Sequence, residues 1–464
     1  MKRQSLETIH LDKIVGGGQA LGTLADGRKC FVWGGLPGET VTVCITKRKS
    51  HFVEAVVEEV ILPSPDRITP RDPDSYLSTS PWQIMPLEIE QIYKRQLIDD
   101  AFTLHNVTLP AVIDIYCDNV AYGYRNKVEF SWYSEIGESG DTLDLAFFRR
   151  GSKGKIVVDG TSLAHPAINS LARAIRDLLR HKRVAARQLK TLLVRCDQSG
   201  SCVWQLYVKD RLPEIITATE AAKLPAQGGE IIYSDPRSPA SRITERLAHF
   251  GNTTLIDAIL GIPFRYACEG FFQVNIPVYE QALRDMKEWV SRESSYWQLE
   301  HHQKIIRDPR EVAQIFSGVP LATDQPILDF YAGVGTIGLT IGGSNVTLVE
   351  INADAVREMQ RNIAELDHTD ARAVLAPSEQ ALNYITGKEI VIVDPPRAGL
   401  HPDVIATLLQ KLPPRILYLS CNPVTQARDV ALLQQSYQIA WHRGYNFFPR
   451  TPHIEHLIIL DKKP

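Results

Sequence analysis

The chain has 464 residues, of which 44% are hydrophobic and 23% charged, with a formal net charge of −3. This balance is ordinary for a soluble globular protein, and at roughly 150 residues per domain the length predicts about three domains. It excludes binding to nucleic acid by overall charge, so any phosphate contacts must come from local basic patches.

The seven cysteines are scattered, and no two are spaced C-x-x-C. That supports neither a zinc site nor a disulfide framework and fits a reducing cytosol. The first residues carry no apolar signal core, and no run approaches the ~20 apolar residues of a membrane span. The expectation is a cytoplasmic monomer.

Short alternating runs at 7–14, 29–33, 40–47 and 51–60 are separated by Gly16-Gly17-Gly18, Asp26-Gly27 and Leu36-Pro37-Gly38-Glu39. Several short strands with glycine-rich turns predict a small barrel of the OB type over residues 1–62. Lys47-Arg48-Lys49 with His51 and Phe52 offers a basic-aromatic patch for nucleic acid, and reads equally well as a solvated hairpin tip. The run Val15-Gly16-Gly17-Gly18-Gln19-Ala20-Leu21-Gly22 and the turn at 36–39 resemble the TRAM domain, an RNA-binding module attached to RNA-modifying enzymes.

Residues 63–110 read as a proline-rich linker, with prolines at 63, 65, 70, 73, 81 and 86, followed by a helix over 87–104. Residues 111–265 read as a central α/β domain. Its predicted elements are neighbouring strands at 128–133 and 143–149, an amphipathic helix over 167–180, and a hairpin of 191–196 with 202–208. Basic clusters at 149–153 and 180–187 suit phosphate contacts or a solvated surface.

The C-terminal domain, assigned to 266–464, alternates strand and helix from Pro326 on, which predicts a parallel, doubly wound sheet. Gly333-x-Gly335-x-x-Gly338 satisfies a dinucleotide fingerprint that is weak alone. In a nicotinamide enzyme such a loop seats a pyrophosphate; in a class I methyltransferase it packs against S-adenosylmethionine, which carries no phosphate. Asp329, just before the loop, favours the methyltransferase, and Glu350 fits both. Asp394-Pro395-Pro396-Arg397 closes a strand with a stiff turn that leaves an acid at its carboxyl edge. Methyltransferases acting on planar nitrogen or carbon place such a turn beside the target base. Cys421, in Ser420-Cys421-Asn422-Pro423, ends the next strand, where a thiol can serve as a nucleophile or as a small buried apolar group.

Five segments in order carry a more specific resemblance: Phe271-Phe272-Gln273-Val274-Asn275, Asp329 to Thr336, Asp394 to Gly399, Ser420 to Pro423, and Thr451-Pro452-His453-Ile454-Glu455. Together with Tyr124-Arg125-Asn126-Lys127 and Phe148 to Ser152, they resemble the RNA 5-methyluridine methyltransferase family. The resemblance implies a class I, Rossmann-like methyltransferase domain that uses S-adenosylmethionine to methylate carbon-5 of a uridine in ribosomal or transfer RNA. It implies Cys421 as nucleophile and Glu455 as base, with His453 a weaker candidate for the base that reads better as structural. Gln273, Tyr331, Glu350 and Asp394 match the cofactor-contacting positions, and Asp394 also meets the target base. Carbon-5 of uracil is a poor nucleophile until a thiolate adds to carbon-6, and a base must then remove the carbon-5 proton. The uridine must leave its stack to reach the thiol.

Two departures stand out. TRAM-bearing members often hold an iron–sulfur cluster on four cysteines, but here residues 71–83 contain no cysteine, and Ser162 stands where the fourth would be. Clusters need thiolates, so none is expected. Residues 292–323 are longer and more polar than the usual connection and read as an insertion. The TRAM-like start favours ribosomal RNA as substrate over the T-loop of transfer RNA. The readings from other classes are a nicotinamide-dependent oxidoreductase and a non-catalytic RNA-binding protein.

Overall fold

The computed structural model describes residues 6–137, 140–238, 241–291, 325–342 and 345–464; the insertion expected at 292–323 lies outside them. Strands Leu6–Ile14, Ala20–Thr23, Lys29–Trp33, Thr40–Arg48 and Phe52–Leu62 close into a five-stranded barrel. Its core is the inward face of the alternation, including Leu11, Val32, Val41, Val43 and Val53. The turn at 36–39 has a structural use. Glu39 is fully buried, and its carboxylate accepts from the Leu36 and Ser64 amides (2.8 and 3.1 Å) and from the Arg67 guanidinium (2.5 and 2.7 Å). A buried acid satisfied by four donors fixes barrel to linker.

The linker packs rather than trails. Asp72 accepts from Ser162 (backbone 3.0 Å, hydroxyl 2.8 Å), from Thr161 (3.2 Å) and from the Gln83 amide (3.1 Å). Where the resemblance leads one to look for thiolates, this chain has a hydrogen-bond hub that ties the linker to the turn at Thr161 and Ser162 of the central domain. The helix Leu87–Leu104 then lies against the C-terminal domain through Ile98, Ala101 and Phe102.

The central sheet has seven strands, in the order Lys155–Val157, Asp144–Phe148, Lys127–Tyr133, Leu189–Cys196, Cys202–Val208, Gly228–Tyr233 and Glu245–Gly251. Helix Pro166–His181 covers one face with Ile168, Leu171, Ile175 and Leu179, the apolar stripe expected at helical spacing. The hairpin Thr254–Ile259/Ile262–Ala267, which spans position 266, packs through Leu255, Phe264 and Tyr266 into the core of the C-terminal domain.

The C-terminal sheet is mixed rather than purely parallel. Five parallel strands run in the order Arg372–Leu375, Val346–Glu350, Ile327–Phe330, Ile390–Val393 and Arg415–Ser420. An antiparallel hairpin, Glu455–Lys462 and Tyr437–Tyr445, comes next, and Ile115–Tyr116 from the central region adds itself at the edge. The three central parallel strands, Ile327–Phe330, Ile390–Val393 and Arg415–Ser420, are buried on both faces and so read as near-continuous apolar runs. Among the described residues, no helix is long and apolar enough to cross a membrane.

Candidate active site

Parallel strands all end at one edge of the sheet, so the residues after each strand gather there, and ligands of open α/β sheets bind at that edge. Tyr331, Glu350, Asp394 and Cys421 each stand at the carboxyl end of a strand. Glu455 arrives from the opposite direction. Its strand runs antiparallel to Arg415–Ser420, with His456 opposite Ser420, so its first residue lies at the same edge. Gln273 comes from the loop between the 262–267 strand and the helix Ile276–Val290. All six line a single cavity of about 1180 Å³, together with Arg125, Arg150, Arg397, Phe448, Thr451 and His453.

Asp329 is placed elsewhere. It is fully buried behind the cavity and accepts from the Gly338 amide at 2.9 Å, which explains that glycine: a Cβ there would lie 2.9 Å from the Asp329 carboxylate and 2.7 Å from Leu348. Burial pushes its carboxyl up to about 8, with Asp394 and Glu350 adding to the shift. Its role is to hold the glycine turn.

Glu350 accepts from the Gly333 amide (3.0 Å) and the Asn352 amide (2.7 Å). This geometry separates the two readings of the glycine loop. The amide that a pyrophosphate would need already serves a carboxylate, and a phosphate there would meet a like charge. Neutral ribose hydroxyls could donate to the remaining lone pairs. Tyr331 has a left-handed backbone (φ 64°), and its hydroxyl accepts from Ser378 at 2.8 Å.

At the other end, Cys421 is half-buried. Burial raises its thiol to about 11, the negative Glu455 and Asp394 add to the rise, and Arg397 opposes it. Burial raises Asp394 to about 7. Glu455 is raised well above the carboxylate range by burial and by Asp394, with Arg397 opposing. The Cys421 thiol, the two carboxyls with raised pKa and the Arg397 guanidinium therefore influence one another's titration. His453 lies 3.3 Å from the Arg397 guanidinium; burial and that charge push it down to about 4, so it is neutral.

The motifs by themselves assign no role to Arg397 or Phe448. Arg397 comes directly after the Pro-Pro turn, and its place beside an acid is the signal that could have found it; Phe448 belongs to a loop with no motif of its own. Phe271 is 70% exposed at the cavity rim, an unusual position for an aromatic ring.

Residues 381–463 match the family model described as tRNA (Uracil-5-)-methyltransferase, and residues 313–417 match one described as Conserved hypothetical protein 95. The chain is 26% identical to an uncharacterized RNA methyltransferase of Nitratidesulfovibrio vulgaris, covering 98% of this chain and 96% of that protein. It is also 26% identical to one from Thermosynechococcus vestitus, over 97% of each. Among solved structures, the Pyrococcus abyssi tRNA (uracil-54, C5)-methyltransferase in complex with S-adenosyl-L-homocysteine superposes with a TM-score of 0.73. That match covers 97% of this chain and 100% of the other, at 20% identity. The matched family model and the RNA methyltransferases that align along nearly the whole chain support the RNA (uracil-5-)-methyltransferase family. Its fold is that of a class I methyltransferase. The matched segment 381–463 contains both the Asp394 and Cys421 turns and the strand that begins at Glu455.

Proposed function

We propose that this methyltransferase transfers a methyl group from S-adenosylmethionine to carbon-5 of a uridine in RNA, through a covalent bond between Cys421 and carbon-6 of the base. The observation that carries this reading is the convergence of Cys421, Asp394 and Glu455 on the cavity that Gln273, Tyr331 and Glu350 also line.

S-adenosylmethionine, when bound, supplies a methyl group on a positively charged sulfur. Glu350 would take the ribose hydroxyls, with Tyr331, Gln273 and Asp394 as further contacts. Asp394, held near neutrality, accepts the Cys421 thiol proton as the sulfur adds to carbon-6. The displaced π electrons move to the carbon-4 oxygen and make carbon-5 nucleophilic; carbon-5 then takes the methyl group. With Asp394 protonated, the negative neighbour that adds to burial in raising Glu455 is gone, which eases ionisation of Glu455, whose own proton leaves to solvent. Glu455 removes the carbon-5 proton, the double bond re-forms, and the Cys421–carbon-6 bond breaks. The thiolate recovers its proton from Asp394. The target base enters the cavity out of its stack, past Phe271.

Ribosomal RNA is the proposed substrate, supported by the closed N-terminal barrel, whose glycine turn and 36–39 turn resemble the TRAM module. A transfer RNA uridine is the second reading, favoured by the likeness to the Pyrococcus abyssi enzyme. The enzyme acts in the cytoplasm as a monomer and without an iron–sulfur cluster, since residues 71–83 offer no thiolate.

RNA carrying 5-fluorouridine tests the mechanism, because fluorine cannot leave as a proton does. Wild-type protein with S-adenosylmethionine should give a denaturation-resistant RNA adduct, and Cys421→Ala should give none. Absence of the adduct with wild-type protein sinks the proposal. Mapping 5-methyluridine in RNA from cells lacking the gene identifies which RNA loses it.

A further inference from the structure

The connection between strands Tyr437–Tyr445 and Glu455–Lys462 closes on the pair Tyr445–Glu455 and supplies Phe448, Thr451 and His453 to the cavity wall. Its conformation therefore sets where Glu455 stands. A loop of this length in a sheet edge would ordinarily be held by its own turns. This one has such turns, with the Thr451 amide and hydroxyl donating to the Phe448 carbonyl, and is held by other parts of the chain as well.

From the linker helix, Glu90 accepts from the Arg450 amide (2.9 Å) and from the Asn446 side chain (3.0 Å). Lys94 donates to the Asn446 amide oxygen (2.5 Å) and the Phe448 carbonyl (3.1 Å), and pairs with Glu90 at 2.8 Å. Both charges are fully buried. From the linker, the Trp82 amide donates to the Arg450 carbonyl (3.1 Å), while the Trp82 ring nitrogen donates to the Gly18 carbonyl of the barrel (3.0 Å). From the central domain, the Tyr124 hydroxyl donates to the Pro449 carbonyl (3.0 Å). The barrel turn itself touches the loop: a Cβ on Gly18 would lie 2.0 Å from Pro452, at a backbone φ of +87°.

A buried ion pair costs desolvation and is retained most understandably where it fixes a geometry. We propose that Gly18, Glu90, Lys94 and Tyr124 are positioning residues of the active site, through which the barrel, linker and central domain seat the 446–453 loop and so aim Glu455 at the base held by Cys421. The barrel is thereby part of the catalytic geometry as well as a surface for RNA. This rests on the role proposed for Glu455.

The test uses full-length protein, labelled S-adenosylmethionine and total RNA from cells lacking the gene as methyl acceptor. Gly18→Ala should lower kcat roughly 10–100-fold, as misplacement of about 1 Å can do, and leave KM within about threefold. Amide hydrogen exchange across 446–453 should quicken while the barrel strands stay protected. Tyr124→Phe, which removes one hydroxyl donor and little volume, should lower kcat about threefold at unchanged KM; it carries the test if Gly18→Ala does not fold. Wild-type kcat in both variants overturns the proposal, and so does a raised KM with kcat unchanged, since the barrel would then act by binding alone. If the wild-type protein transfers no methyl group, the functional reading fails by itself. The exchange measurement still decides the positioning claim, which unchanged exchange in Gly18→Ala would refute.

Discussion

The side-chain amide of Asn422 donates to the backbone carbonyl of Arg397 at 2.8 Å. One residue past the cysteine thus reaches across to the turn that carries Asp394, and Thr425 donates to the same carbonyl at 3.2 Å. Asn422 also caps the helix Pro423–Leu433, accepting from the Val424 amide. Two strand ends are locked together by a residue that touches neither the thiol nor the acid. Asn422→Ala should lose about 1 kcal/mol from the cap and about tenfold in single-turnover methyl transfer from the loosened turn. Denaturant unfolding and rapid-quench assays separate the two, and an unchanged transfer rate would show that the lock is only structural.

Glu455→Gln keeps the shape of the side chain and removes the base. Turnover should fall by roughly 10²–10⁴-fold, while methylated RNA accumulates covalently attached to Cys421. An unmodified, freely released RNA product would assign the base elsewhere.

The raised carboxyls predict a pH dependence with a definite sign. Asp394, at about 7, can accept the thiol proton only in its ionised form. The logarithm of kcat/KM should therefore climb with pH below about 7 and level off above it. A profile flat from about pH 5.5 to 8.5 contradicts this assignment.

Asp329 governs stability rather than rate. Its folded-state pKa of about 8 lies above the ordinary 3.8, so the folded state holds a proton that the unfolded chain releases. Its stabilising contribution is complete below pH 3.8 and is lost as pH rises to about 8, at about 1.4 kcal/mol per unit. Asp329→Asn should flatten that loss, narrowing the stability difference between pH 5 and pH 9 as read by urea midpoints. An unchanged difference would place the titrating group elsewhere.

Glu350→Gln puts an amide NH₂ against one of two backbone donors, Gly333 or Asn352. Loss of a hydrogen bond to a charged group is worth about 1.5–3 kcal/mol, so S-adenosylhomocysteine affinity should weaken by roughly 10–100-fold in calorimetry. Affinity equal to wild type would remove Glu350 from the cofactor site. Purified protein should also contain no stoichiometric iron or acid-labile sulfide, which a colorimetric assay checks directly.

Much of the fold and site was legible in the amino-acid order. The runs at 327–330, 346–350 and 390–393 read as strands of a parallel sheet, and each ends at or just before its candidate side chain because parallel strands end at one edge. The helix at Leu87–Leu104 and the Cys202–Val208 strand likewise come from period and turn residues. Candidate site residues were legible where motif and strand end coincide, as at Asp394 and Cys421, both of which line the cavity.

Direction and neighbourhood, by contrast, could not be determined from the order of residues. Glu455 meets Cys421 only because its strand runs antiparallel, a reversal set by long-range pairing and not by local pattern. Asp329 is buried away from the cavity, where the Gly338 amide, nine residues on, donates to it. The burial that moves Cys421, Asp394 and Glu455 from their ordinary titration ranges exists only once segments far apart in the chain exclude water from one place.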